Sequence, residues 1–147
     1  MTIKEKLSND MKTAMKAHDE VALSTIRLLT SAIKYAEIEA GRPLDDEGAL
    51  KVLSTAAKQR REAVEMYEKG ARPDLAGKEK AELAVILTYM PQQLSPDEIR
   101  ALVQEAMAES GAAGPADMGK LMKVLMPKVK GKADGKLVNE LVKEALG

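Results

Sequence analysis

The chain has 147 residues, contains no cysteine and carries 23 basic and 23 acidic side chains, so its formal net charge is zero. The lack of cysteine excludes disulfides, thiolate nucleophiles, iron–sulfur clusters and cysteine-bound zinc, and the single histidine, His18, leaves mainly carboxylates for any metal site. The chain also lacks Trp and Phe and has three Tyr, which removes the usual aromatic platforms for stacking single-stranded bases.

Apolar residues recur three and four positions apart along the whole chain, and no stretch alternates strictly, so the sequence predicts an all-α fold. Gly41, Gly70 and Pro91 supply stop signals for helices in the first part. Four helices are expected there: from about Thr2 to Ala17, from Asp19 to Ala40, from Asp45 or Asp46 to Lys69, and from Asp74 to Met90.

A capping box, Ser95-Pro96-Asp97-Glu98, marks the clearest boundary in the chain. We place the domain boundary at Gln92–Leu94, which gives an N-terminal helical domain of residues 1–92 and a C-terminal domain of residues 95–147. Three helices are expected in the second domain: from Ser95 to Glu109, from Pro115 to Met126 where Pro127 ends it, and from Asp134, its expected cap, onwards. The predicted fold is an N-terminal bundle of about four helices plus a small three-helix C-terminal domain.

Charge separates inside the C-terminal domain. Residues 95–117 hold one basic against five acidic side chains, whereas residues 120–136 hold six lysines against Asp134 alone. Helical spacing puts several of these lysines opposite the apolar faces of the last two helices. Lys136 also lies in a first helical turn, where positive charge opposes the helix dipole and points to a ligand. The candidate nucleic-acid-binding residues are Lys120, Lys123, Lys128, Lys130, Lys132, Lys136 and Asn139.

Two less specific interpretations belong beside this one. A lysine-rich turn is commonly just solvated surface, and the same holds for the run Lys58-Gln59-Arg60-Arg61, which we expect to be a solvated helix face or a weak second basic patch. The stripe of Met118, Leu121, Met122 and Leu125 is expected to be core rather than a docking face.

Five segments resemble the GatB/YqeY family: residues 26–27, 89–94, 116–120, 126–135 and 138–139. The lysine-glycine segment 126–135 is the most specific of them. The resemblance implies that residues 95–147 form a GatB/YqeY-type domain, like the tail of the B subunit of the glutamine-dependent aminoacyl-tRNA amidotransferase, which contacts tRNA. It also implies a family label, carbon–nitrogen ligase with glutamine as amido-N-donor.

The residues do not support catalysis by this chain alone. Release of ammonia from glutamine needs an activated nucleophile and a base; cysteine is absent, and Ser24, Ser31 and Ser54 lie within amphipathic helical patterns. No glycine-rich phosphate loop is present either. We therefore expect a non-catalytic accessory protein without a cofactor or metal site that binds tRNA or another structured RNA.

Two alternatives stay open: a protein–protein adaptor, and an auxiliary subunit of a carbon–nitrogen ligase, with an amidotransferase or another translation protein as partner. The N-terminus has no apolar leader and the longest uncharged run is too short to span a bilayer. The expected location is therefore cytoplasmic, with no membrane partner.

Overall fold

The computed structural model describes the whole chain, residues 1–147, as seven α-helices and one short 3-10 helix without strands. This confirms the predicted all-α fold. The helices are α1 Ile3–Ala17, α2 Glu20–Ala40, α3 Asp46–Lys69, α4 Pro73–Leu87, α5 Pro96–Ser110, the 3-10 helix Pro115–Asp117, α6 Met118–Val129 and α7 Gly135–Leu146. The chain divides into two compact units, Met1–Pro91 and Gln92–Gly147.

The first unit packs α1 to α4 around one apolar core, with α3 and α4 in the most extensive contact. Leu29, Leu53 and Ile86 are among its fully buried side chains. Thr25 is fully buried, and its Oγ1 donates a hydrogen bond to the carbonyl of Val21 at 2.8 Å, so it enters the core without leaving a polar atom unsatisfied.

One carboxylate ties three segments of the first unit together. Glu37 Oε2 on α2 accepts hydrogen bonds from Lys4 Nζ on α1 at 2.6 Å and from the backbone N–H of Leu44 at 2.8 Å. The Lys4 hydrogen bond, followed by the Leu44 bond, lowers the pKa of Glu37. The loop between α2 and α3 is thereby fixed beside the N-terminus of the chain.

The second unit places α5 at its centre, because α5 packs against both α6 and α7 while those two touch each other far less. Its core is built from its own residues, including Ile99, Leu121, Leu125 and Val142. Leu121 and Leu125 confirm the predicted core stripe of α6. The outer faces of α6 and α7 are left exposed to solvent.

The starts of α1 and α2 and the ends of α2 and α3 agree with the sequence prediction, whereas several other helix ends differ. The Ser95 capping box is confirmed, with Ser95 Oγ accepting from the N–H of Glu98 and Glu98 Oε1 from the N–H of Ser95, both at 3.1 Å. Asp74 lies inside the first turn of α4, which begins at Pro73 after Arg72. Asp134 precedes α7 but its side chain makes no cap hydrogen bond.

The third difference is at Pro127, which lies within α6 instead of ending it at Met126. Pro127 lacks the N–H that would bond the carbonyl of Lys123. The helix continues for two more residues because Val129 is buried in the core of the second unit, and this burial compensates for one lost hydrogen bond.

Candidate nucleic-acid interface

All seven predicted binding residues lie in the second unit, on α6, on the turn that joins it to α7, and on the first half of α7. Six of them are exposed; Lys128 alone is half-buried. Lys128 and Lys120 lie against α5, and the other five are exposed on α6, the turn and α7.

The segment that precedes α5 fixes the turn between α6 and α7 through two hydrogen bonds. The backbone N–H of Leu94 donates to the carbonyl of Lys132 at 2.8 Å, and Gln93 Nε2 donates to the carbonyl of Gly131 at 3.0 Å. Gly131 has a φ of 75°, in the left-handed region that favours glycine. Two of the five segments that carry the family resemblance, 89–94 and 126–135, therefore meet, and the exposed Lys130 and Lys132 lie on a turn of defined shape.

Lys128 differs from its neighbours because two carboxylates of α5 surround its ammonium group. Lys128 Nζ lies 2.7 Å from Glu109 Oε1 and 3.9 Å from Glu105 Oε2. The Glu109 hydrogen bond raises the pKa of Lys128, and the charges of Glu109 and Glu105 add to this effect. Lys128 is therefore protonated, and its positive charge is compensated by these carboxylates. The contact joins α6 to α5.

Lys120 also turns toward α5. Its Nζ lies 3.7 Å from the position that a Cβ would take on Gly111, the residue that ends α5 with a φ of 74°. The unpaired carbonyls at the C-terminus of a helix carry partial negative charge. The ammonium group of Lys120 thus lies at the negative pole of α5.

The solvent-facing part of the predicted set is Lys123 on α6, Lys130 and Lys132 on the turn, and Lys136 and Asn139 on α7. Asp134, the one acidic residue between positions 120 and 136, is half-buried. On α7 the exposed Glu140 and Glu144 share the surface with lysines, whereas the exposed charged residues from position 121 to 133 are Lys123, Lys130 and Lys132. We call these three residues the lysine surface.

The second basic patch is not formed. Arg60 Nε lies 3.0 Å from Glu82 Oε2 and 3.6 Å from Glu79 Oε2, both on α4. The guanidinium group joins α3 to α4, so the run 58–61 does not present four polar side chains to solvent as expected.

Gln93 stands in one of the family-like segments, and the sequence predicts no role for its side chain. In the structure, the side chain of Gln93 bonds to the carbonyl of Gly131 and so fixes the turn between α6 and α7. The signal in the sequence was its place in Pro91-Gln92-Gln93-Leu94, an uncharged segment just before the capping box.

None of the seven helices is both long and apolar enough to cross a bilayer.

Comparison with known proteins finds one family whose sequence profile, described as Yqey-like protein, matches residues 4–146. Three relatives carry the name altered inheritance of mitochondria protein 41, mitochondrial. The protein of Vanderwaltozyma polyspora is 40% identical over 67% of this chain and 55% of its own length. The protein of Lachancea thermotolerans is 35% identical over 75% of this chain and 60% of its own length. The protein of Pyrenophora tritici-repentis is 30% identical over 97% of this chain and 80% of its own length.

The predicted cytoplasmic location is wrong by this comparison, because the names of these relatives place them in mitochondria. The prediction rested on the lack of an apolar leader. An apolar segment is the mark of a secretory signal, whereas transit peptides are amphipathic, so the criterion did not address mitochondria. The chain spans little more than half the length of the first two relatives.

Proposed function

The chain belongs to the YqeY-like family, whose profile matches it over residues 4–146, and from this premise we propose that it is a non-catalytic accessory protein that binds structured RNA, tRNA above all. The observation that carries the proposal is the lysine surface, where Lys123, Lys130 and Lys132 are exposed beside a turn of fixed shape. Phosphate oxygens are the natural partners of such a surface. The resemblance of residues 95–147 to the amidotransferase tail favours tRNA among structured RNAs.

The absence of aromatic residues from position 92 onward supports recognition of shape over recognition of bases. Single-stranded RNA is usually held by stacking bases on aromatic rings, and this unit offers none. A folded RNA instead presents its phosphates and 2′-hydroxyls across the minor groove. Asn139, exposed one turn beyond Lys136 on α7, can donate to or accept from a 2′-hydroxyl.

Filter binding of total tRNA to the full chain at increasing salt tests the proposal. With about three phosphate contacts, the slope of log K against log salt is expected at roughly −2 to −3. An unstructured homopolymer such as polyuridylate should compete poorly. Absence of binding at low salt, or a binding constant that does not change with salt, would refute the proposal.

Substitutions locate the binding surface. The double variant Lys130→Ala, Lys132→Ala should lower the affinity about tenfold at low salt and reduce the salt slope by about 2, one for each phosphate contact. Lys58→Ala, an exposed lysine on α3 in the first unit, is the matched control. Lys128→Ala should change binding little, because Glu109 and Glu105 already neutralise Lys128. Equal losses in the double variant and the control would place the RNA elsewhere.

A further inference from the structure

A proline inside α6 leaves one backbone carbonyl of the lysine surface without its helical partner. Pro127 lies within α6, and proline has no N–H to bond the carbonyl four residues before it, which is that of Lys123. Lys123 and Pro127 are both exposed, so this carbonyl is on the solvent side of the helix, where carbonyls tilt outward. A surface of cations therefore contains a hydrogen-bond acceptor.

An apolar side chain lies on the same face as this acceptor. Met126 is 44% exposed, and it is the one large hydrophobic side chain of the second unit that is exposed. It follows Lys123 by three positions, and residues with this spacing are neighbours on a helix surface. A methionine side chain is flexible and adapts to irregular partners, so the acceptor and an adaptable apolar group lie side by side.

A phosphate group uses neither of these two features. A phosphodiester is an anion with no proton to donate, so it is repelled by a carbonyl oxygen, and it offers no carbon surface. The ribose of RNA supplies both partners, because its 2′-hydroxyl donates a hydrogen bond and its ring carbons are apolar. In an A-form minor groove every nucleotide displays a 2′-hydroxyl, whereas among the bases only guanine displays an amino group there.

We propose that the lysine surface distinguishes RNA from DNA at the carbonyl of Lys123, which accepts a hydrogen bond from a 2′-hydroxyl while Met126 packs against the sugar carbons. The inference rests on the proposed function and deepens it, since it assigns the part of the RNA that is recognised. Lysines alone contact the phosphates of either nucleic acid. Pro127 adds the preference for RNA, because it keeps the carbonyl free of a helical hydrogen bond.

The test compares two hairpins of one sequence bound to the full chain, one of RNA and one with fluorine in place of every 2′-hydroxyl. The fluorinated hairpin keeps the A-form duplex and the phosphates but has no 2′-hydroxyl to donate. Filter binding should show the RNA hairpin bound at least about fivefold tighter, the effect of one net hydrogen bond. The slope of log K against log salt should be the same for both. Equal affinities would overturn the proposal.

The variant Pro127→Ala assigns this difference to the carbonyl. Alanine supplies an N–H that bonds the carbonyl of Lys123, and it favours the helix, so the fold should be kept and no charge is changed. The variant should bind the RNA hairpin about fivefold more weakly and the fluorinated hairpin as well as before. Pro96→Ala is the matched control, because Pro96 is the first residue of α5, where an N–H has no helical partner.

Two results with Pro127→Ala would contradict the proposal. An equal loss for both hairpins would mean that the proline acts through the shape of the turn, and an unchanged preference for RNA would mean that the carbonyl is not used. Asn139 is the other group of the predicted set that can bind a 2′-hydroxyl. A preference that is lost in Asn139→Ala and kept in Pro127→Ala would assign the hydroxyl to Asn139 instead.

The contribution of Met126 has its own measurement. Met126→Ala should weaken both hairpins about threefold, because both carry sugar carbons, and should leave the salt slope unchanged. Met66→Ala, at an exposed methionine of α3 in the first unit, is the control. Unchanged binding in Met126→Ala would place the sugar elsewhere and would refute the arrangement proposed.

The outcomes separate this inference from RNA binding itself. If the RNA hairpin binds through Lys130 and Lys132 but neither fluorination nor Pro127→Ala changes its affinity, the surface binds phosphates alone. The proposed function then stands and this inference fails. If neither hairpin binds at low salt, both fail.

Discussion

At the scale of single residues, Tyr89 shows how a polar group at the end of a segment can hold an element in place. Its ring is buried, its hydroxyl donates to Asp10 Oδ2 on α1 at 2.5 Å, and Lys6 Nζ lies 5.2 Å from the ring centroid. Burial, and then the hydrogen bond and charge of Asp10, raises the pKa of Tyr89. The segment after α4 is thus anchored to α1.

This environment predicts a loss of stability in alkaline solution. The folded state holds the Tyr89 proton more tightly than the unfolded state does. The contribution of Tyr89 to the free energy of unfolding is therefore complete below about pH 10 and falls as the pH rises above it. Tyr89→Phe should cost about 1–2 kcal/mol at neutral pH and should remove part of the alkaline loss. Urea unfolding at neutral and alkaline pH, with tyrosinate absorbance as a second signal, measures both effects. An identical pH profile in the variant would contradict this account.

The buried pair of Arg60 and Glu82 predicts a second stability effect. Their side chains are 16% and 10% exposed, so neutralising the carboxylate leaves a poorly solvated guanidinium with only the more distant Glu79. Glu82→Gln should lower the free energy of unfolding by about 1–3 kcal/mol. Glu68→Gln is the matched control, because Glu68 pairs with Lys80 between the same two helices at 2.7 Å but both are exposed. Its expected cost is below about 1 kcal/mol, and equal costs would contradict the burial argument.

At the scale of elements, the sequence predicted each helix and its apolar face, because periodicity and stop residues are local signals. It missed the continuation of α6 through Pro127, since the burial of Val129 that sustains it is a tertiary effect. The prediction of Lys128 as a phosphate contact stays a prediction, but the sequence did not indicate the carboxylates that surround it. Glu105 and Glu109, which neutralise that lysine, lie on the preceding helix, and no spacing rule within α6 predicts which side chains of α5 it meets. Local charge counts therefore overestimate a surface wherever neighbouring helices supply counter-charges.

The hydrogen bond from Gln93 to the turn between α6 and α7 gives a prediction at this scale. Gln93→Ala removes the hydrogen bond to the carbonyl of Gly131 but no charge. The turn should lose part of its preorganisation, so tRNA affinity should fall about threefold, since ordering the turn on binding costs free energy. The slope of log K against log salt should stay as in the parent chain, because the number of phosphate contacts is the same. A reduced slope would mean that Gln93 acts through the lysines' contacts themselves and not through turn shape.

At the scale of the whole molecule, each unit has a core of its own. The buried apolar cluster of the first unit contains only residues from α1 to α4 and the segment just after α4, and that of the second contains only residues from α5 onward. Hydrophobic burial acts between groups in contact, so a cavity in one cluster removes no contact from the other. The second unit is the smaller of the two, and domains of about 60 residues bury only about 60% of their unfolded surface.

The separate cores predict separate responses to cavity-forming substitutions. Leu125→Ala, at a fully buried position of α6, should cost about 2–5 kcal/mol, which is most of what a core of this size supplies. Hydrogen exchange should then accelerate at the amides of α5, α6 and α7 and stay unchanged in α1 to α4. Leu53→Ala, fully buried on α3, should do the reverse. If either substitution accelerated exchange in both units alike, the chain would unfold as one cooperative body, which would contradict the account of two separate cores.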